Sequence, residues 1–492
     1  MNLRNVKIHS LPVMINGEHP VNAERSPMKK SRESQIAAGC RRLAAPCAIT
    51  LLLTLVLWPG LTFAQANGST LLTTITNPAP ADSYRFGYPM ATVRSDRVLI
   101  GDSSGNKAYL FSTGGTLLTN FTDPNPAFGS AFGYSLAAMG SDQVLIGAAF
   151  GVGAVYRFST DGTLLATITN PAPITYNGFG ASLAAVGSDR VLIGAIDFAG
   201  LGDGRAYLFS TNGTLITTFT NPTPANFDQF GSSVAALGND RVLIGELADG
   251  GVPGNAYLFS TNGTLLTTFH NPTPAASDFF GFPVAALGND RVLIGAFGDD
   301  TGAGGAGSAY LFSTNGTMLI TFTNPTPAAL ELFGIRVTAV GNNRVLIGAP
   351  YDDSGAESAG VAYVFSTNGT LLTTFTNPTP AVDGGFSLYL AAVGNDQVLI
   401  GAPGNSSGGV DVAGEVYLFA IPYPSLSIAR NAATVSLKWV TPETGLALQQ
   451  ASVLGTPTVW SNSTNSVFIN GLSNVVQQTL VSTNRFFRLH RP

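Results

Sequence analysis

Two acidic doublets, Asp299-Asp300 in "GDDTGAGGAG" and Asp352-Asp353 in "YDDSGAESAG", are the densest oxygen-ligand candidates in this 492-residue chain. Calcium takes about six to eight oxygens, so each doublet could supply part of a shell, and each could equally serve as an ordinary turn former. Glu246 and Glu331 are the carboxylates from which a glycosidase-like acid pair could be built. Other reactive chemistry is scarcely supplied. The chain has four histidines and two cysteines, and only His270 and His490 lie beyond an N-terminal leader that contains Cys40 and Cys47. No Ser-His-Asp, Cys-His or His-metal set can be assembled from that inventory. The expectation is a non-enzymatic protein without a certain cofactor, calcium being the one ion its loops could take.

Those carboxylates interrupt a repeat. "LGNDRVLIG" occurs at Leu237 and again at Leu287, and variants begin at Val93, Met139, Val186, Val340 and Val393, which makes seven copies. One full unit starts at Phe230 and reads as four strands: "SVAALG", "RVLIG", "NAYLFS" and "TLLTTF", here called A to D. Asn262-Gly263 between the last two predicts a tight hairpin of type I′, and "NPTPA" leaves the sheet because Pro cannot donate to a ladder. The repeated Asn-Gly-Thr at Asn212, Asn262, Asn315 and Asn368 also matches a glycosylation acceptor, but the hairpin explains its recurrence.

Spacing separates what is fixed from what varies. The Phe of "FG" precedes the Val of "VLIG" by the same interval in every copy, as from Phe86 to Val98 and from Phe386 to Val398, whereas the B–C loop changes length from unit to unit. Four-stranded units of about 50 residues predict an all-β fold, a seven-bladed β-propeller, with small pairs such as Ala235-Ala236 on the innermost strands. The phase of the repeat predicts closure. The last unit ends after strand C at Phe419, while an orphan strand D, "STLLTTITNP", begins at Ser69 and can complete the seventh blade.

"FG" followed by "RVLIGAP" and "AYVF" resembles the FG-GAP repeat of integrin α-subunit propellers and of many exported bacterial proteins. The resemblance covers about Ser69 to Phe419 and implies a seven-bladed propeller used chiefly for adhesion or ligand binding. The chain departs from the pattern twice. Phe386-Ser387 stands where "FG" is expected, and the Asp-rich loop that integrin-type repeats place before strand B is shortened to Gly-Asn-Asp, so calcium is not carried over there.

The flanks differ from the repeat. Arg41-Arg42, the apolar run from Cys47 to Trp58 and the small residues Ala64-Gln65-Ala66 have the order of a secretory signal peptide, so residues 1–66 are expected to be removed, with a possible gene-model extension before Met28. The propeller is assigned to 67–420 and a small β-sandwich-like domain of immunoglobulin or fibronectin type to 421–492, with Trp439 in its core. Without the leader, sixteen basic residues face twenty-six acidic ones, which disfavours nucleic acid and anionic membrane. A secreted or cell-surface monomer binding an extracellular protein or polysaccharide is expected. The alternatives are a carbohydrate-active hydrolase or lyase on the same scaffold, and a purely structural surface protein.

In an antiparallel meander the B–C loops and D–A connectors emerge at one end and the A–B and C–D turns at the other. The ligand is therefore expected on the B–C face, where Asp197, Asp203, Glu246, Asp249, Glu357, Asp411 and Glu415 join the two Asp doublets.

Overall fold

A computed structural model describes residues 69–80, 85–126, 130–173, 178–196, 204–224, 228–247, 253–405 and 413–422. Towards the C-terminus it describes 427–431, 434–440, 447–451, 461–463, 465–470, 473–479 and 486–490. The expected leader, and with it the signal-peptide reading, lies outside the described residues. Among the described residues no helix is long and apolar enough to cross a membrane.

Seven four-stranded antiparallel sheets follow one another along the chain, each in the order A-B-C-D. Blade 1 comprises Phe86–Val93, Arg97–Asp102, Lys107–Ser112 and Leu117–Thr122. Blade 2 runs Phe132–Met139, Gln143–Ala148, Ala154–Ser159 and Leu164–Thr169, and blade 3 Phe179–Val186, Arg190–Ala195, Arg205–Ser210 and Leu215–Thr220. Blade 4 has Phe230–Leu237, Arg241–Glu246, Asn255–Ser260 and Leu265–His270, and blade 5 Val284–Leu287, Arg291–Ala296, Ser308–Ser313 and Met318–Thr323. Blade 6 has Arg336–Val340, Arg344–Ala349, Val361–Ser366 and Leu371–Thr376. Blade 7 draws Tyr389–Val393, Gln397–Ala402 and Glu415–Ala420 from the end of the repeat and its strand D, Thr70–Thr76, from the beginning. That strand pairs from Thr70 opposite Ala420 to Thr76 opposite Glu415, which closes the ring as the phase of the repeat predicts.

The core lies between blades. Strand B has a neighbour on both faces, so "VLI" is a continuous apolar run rather than an alternating one. In blade 4, Val242 and Ile244 pack with Leu192, Leu208 and Phe219 of blade 3, while Leu243 turns to Val292 and Ile294 of blade 5. Each such side chain contributes about 1.5–3 kcal/mol by burial. The Phe of "FG" is fully buried and meets strand C of its own blade edge-on, as Phe230 does with Phe259 at 6.3 Å and 88°. Its Gly explains the Gly that ends strand B. A Cβ on Gly194 would overlap the carbonyl oxygen of Gly231 in the next blade, so both positions must be bare for the innermost strands to converge.

The hairpin between strands C and D differs from expectation. Only Gly263 has positive φ, at 95°, while Asn262 does not, so the turn is a three-residue loop ending in a left-handed Gly rather than type I′. Ser260 N donates to Thr264 O at 2.9 Å, and Asn262 Oδ1 accepts from Thr264 N at 3.2 Å. Asn is used there for its side-chain acceptor and not for its tolerance of positive φ. A register shift follows in strand D, and it leaves Leu265 and Leu266 both exposed.

The C-terminal segment forms two small antiparallel sheets. Thr434–Val440 pairs with Ser427–Asn431 and Ser473–Thr479, and Ala447–Ala451 pairs with Phe486–His490. Leu437, Trp439, Leu448 and Val476 are packed together as its core.

Candidate functional site

The two ends of the ring have different chemistry. At the A–B end, Arg241 Nη2 donates to Asn289 O of the next blade at 2.7 Å, and Arg190 repeats the bond to Asn239 O at 2.6 Å. The adjacent Asp is a weak partner, with Asp240 at 3.7 Å from Arg241 and largely exposed. The recurring Arg is therefore a blade-to-blade strut. Turns of the same blade meet at this end too, Thr261 N donating to Asp240 O at 2.8 Å.

At the opposite end the B–C loops meet the connectors, as when Phe333 N donates to Ala306 O at 2.9 Å. Here the connector Asn of "NPTP" recruits a carboxylate. Asn271 Nδ2 donates to Asp278 Oδ2 at 2.6 Å, and Asn271 Oδ1 accepts from Thr273 N at 3.0 Å, fixing the turn. Asp299 is 2 % exposed and saturated: Oδ1 accepts from Thr301 N at 2.8 Å and Ser308 Oγ at 3.2 Å, Oδ2 from Tyr310 OH at 2.8 Å and Thr273 Oγ1 at 3.0 Å. Burial alone would raise its pKa, but these donors outweigh burial and hold the carboxyl below its ordinary value.

The pattern recurs in the neighbouring blades. Asp352, also buried, accepts from Ser354 N and Tyr363 OH. Glu331 accepts from Asn324 Nδ2 at 2.7 Å and Ala328 N at 2.7 Å. Glu415, half-buried, accepts from Asn405, Thr379 and Tyr417. Glu246, 1 % exposed, accepts from Asn255 at 2.7 Å, Asn221 at 2.9 Å and Tyr257 OH at 3.2 Å. Burial, with the nearby Asp228 adding repulsion, pushes Glu246 up to about 7.

These carboxylates hold loops to connectors. Of the residues expected on a ligand face, Glu246, Asp299 and Asp352 are buried, whereas Asp300, Asp353 and Glu357 are exposed. Asp300 Oδ1 accepts from Gly305 N at 2.7 Å and Asp353 Oδ1 from Ser358 N at 2.8 Å, so each doublet member also shapes its own loop. Asp197, Asp203, Asp249 and Asp411 lie outside the described residues. Among the described residues, no group of three or more His, Cys, Asp or Glu side chains is placed to hold a metal ion.

Sequence reasoning missed a second cluster at this end, where the innermost strands begin. The residues just after "FG" are Tyr88, Tyr134, Phe282, Ile335-Arg336 and, in blade 7, Leu388-Tyr389. Arg336 lies over the Tyr389 ring at 4.3 Å and the Phe282 ring at 5.2 Å, donates to Tyr389 OH at 2.7 Å and to Ile335 O at 2.8 Å. Tyr389 and Tyr88 approach to 4.2 Å, and Tyr88 hydrogen-bonds with Tyr134 and Tyr389. Burial raises the Tyr134 and Tyr389 pKa values well above the ordinary phenol range, which keeps both hydroxyls as donors. Loop aromatics extend the cluster, Phe150 reaching Tyr134 and Phe297 reaching Phe282. The aromatic or Arg choice after "FG", against Ala181 and Ser232 in blades 3 and 4, was the available signal.

Residues 272–312 match the family model described as the FG-GAP repeat. This segment spans strands A to C of blade 5, and the other six blades share its strand order and buried Phe. The chain is a seven-bladed β-propeller that carries an FG-GAP repeat. Among solved structures, the propeller is similar to a streptogramin B lyase at 12% identity, covering 70% of this chain and 96% of that one with a TM-score of 0.50. It is also similar to BBS1N in complex with ARL6DN at 11% identity, covering 72% and 97% with a TM-score of 0.42. At such identities the likeness concerns the fold alone. No curated protein matches the chain. In this FG-GAP propeller the signature residues serve blade packing, so function must be sought in what differs between blades.

Proposed function

We propose that this FG-GAP propeller is an exported binding or adhesion protein that engages an extracellular protein or polysaccharide through its B–C loop face. One observation carries the reading. The repeated Arg, Thr, Phe, Gly, Asn and Tyr are spent on bonds within and between blades, and the residues that vary lie at the B–C end with exposed Asp300, Asp353 and Glu357. Loops that vary on a rigid scaffold are the usual place for recognition. Binding is favoured over hydrolysis because the carboxylates with raised pKa values, Asp102, Glu246, Asp278 and Glu331, are each engaged by Asn, Tyr or backbone donors. Export is read from the leader-like order of residues 41–66. A glycan and extracellular-protein array probed with the purified protein tests this. Saturable binding without turnover of the bound ligand is expected, and cleavage of an array ligand would replace the binding reading with an enzymatic one.

A further inference from the structure

At the B–C end, where the innermost strands begin, the mouth of the ring holds a cation, Arg336, that contacts between blades engage only in part. A guanidinium has five N–H donors, and the described partners of Arg336 are one carbonyl and one phenol. Every other arginine that forms a described ion pair lies at the A–B end, whereas Arg336 has no carboxylate partner among the described residues. The titratable groups that act on it include Tyr389, Tyr88, Tyr134 and Tyr351, in a protein of net charge −5.

We propose that this mouth binds the carboxylate of an acidic sugar presented end-on by a saccharide, an inference that rests on the reading of the B–C face as the binding surface. The planar fork of Arg336 matches a carboxylate, and the rings of Phe282 and Tyr389 beside it limit its competition with water. Aromatic faces suit the C–H faces of a pyranose, and the phenols of Tyr88, Tyr134 and Tyr389 can hydrogen-bond its hydroxyls. The wall is one-sided. Blades 5, 6, 7, 1 and 2 supply the large side chains, while Ala181 and Ser232 stand at the corresponding positions of blades 3 and 4, so the approach is from that side. The exposed acids of the rim disfavour a long polyanion lying across the face and favour a single terminal carboxylate.

Calorimetric titration of the full protein with glucuronate-terminated and matched glucose-terminated oligosaccharides is the test. The acidic probe should bind at least about tenfold more tightly, and Arg336→Gln should weaken it roughly 10- to 100-fold, as expected for a lost charge-assisted hydrogen-bond pair. Arg336→Lys should recover part of the loss. Tyr389→Phe, which keeps the ring and removes one hydroxyl, should weaken binding less and guards against a folding defect in the Arg336 variants. Equal affinity for the two probes, an unchanged Arg336→Gln, or tighter Arg336-dependent capture of a Glu-terminated peptide would overturn the inference. If array ligands persist while the glucuronate probe fails, this inference falls and the binding reading stands.

Discussion

Thr73 Oγ1, on the first strand of the propeller, donates to Thr113 O of blade 1 at 2.9 Å. Thr217 makes the same bond to Thr261 O at 2.8 Å and Thr267 to Thr314 O at 2.8 Å, so the junction between the chain's two ends is built like an ordinary blade junction. Ile75 joins Phe86, Val98 and Leu418 in the core between blades 7 and 1. Deleting Ser69 to Thr76 should therefore expose two sheet edges, with aggregation or loss of cooperative unfolding, whereas Thr217→Ala should cost only about 1 kcal/mol. Thermal melts check both. A deletion variant that melts like the intact protein would mean that the ring does not depend on this strand.

Ser387 replaces the Gly of "FG" in blade 7 and is held at φ 77° with its hydroxyl buried and without a partner. The carbonyl of the same residue lies against Gly348, as the other "FG" glycines lie against theirs. Ser387→Gly should stabilise the protein by about 1–2 kcal/mol by relieving the strained backbone and the unpaired hydroxyl. The reverse change at a matching site, Gly231→Ser, should destabilise by at least that much. Chemical denaturation of the pair measures the difference.

Glu246 makes stability depend on pH in a defined direction. Its folded value of about 7 lies above the ordinary 4.5, so between those pH values the folded chain holds a proton that the unfolded chain has released. The corresponding stability is complete below about pH 4.5 and is lost as pH rises through about 7, amounting to a few kcal/mol. Glu246→Gln, which removes the titrating proton, should flatten this part of the profile, whatever its cost at a single pH from the amide facing the Asn donors. Matched denaturation curves at pH 5 and pH 8 decide it, and an identical slope in both proteins would contradict the assignment.

Asp299 accepts four hydrogen bonds from the protein itself. Asp299→Asn should cost about 1–3 kcal/mol, because an amide would present donors to donors. For the same reason millimolar calcium or a chelator should leave the melting temperature unchanged. A calcium-dependent rise of several degrees would show that the loop carboxylates rearrange around the ion.

The repeat made the propeller readable because its spacing reports strand pairing directly, and the unmatched strand at Ser69 reported closure. The details that failed were those set by local backbone geometry and by three-dimensional convergence. Asn262-Gly263 identifies a hairpin but not its loop length, and nothing in the strand D sequence marks the register shift that leaves Leu265 and Leu266 both exposed. Glu246, Asp299 and Asp352 look like a ligand face in sequence because nothing local shows that a connector Asn or a strand C Tyr folds back onto them. Arg336 and Tyr389 stand in different repeats 53 positions apart, and only the ring brings them together.

The central claim is that binding belongs to the B–C face and architecture to the repeated residues. The direct measurement is affinity for one array ligand in two variants of equal stability: the loop-face triple Asp300→Asn, Asp353→Asn, Glu357→Gln, and the opposite-end pair Asp240→Asn, Asp290→Asn. Loss of affinity in the first with none in the second is the predicted result. Equal loss in both, or loss only in the second, would contradict it.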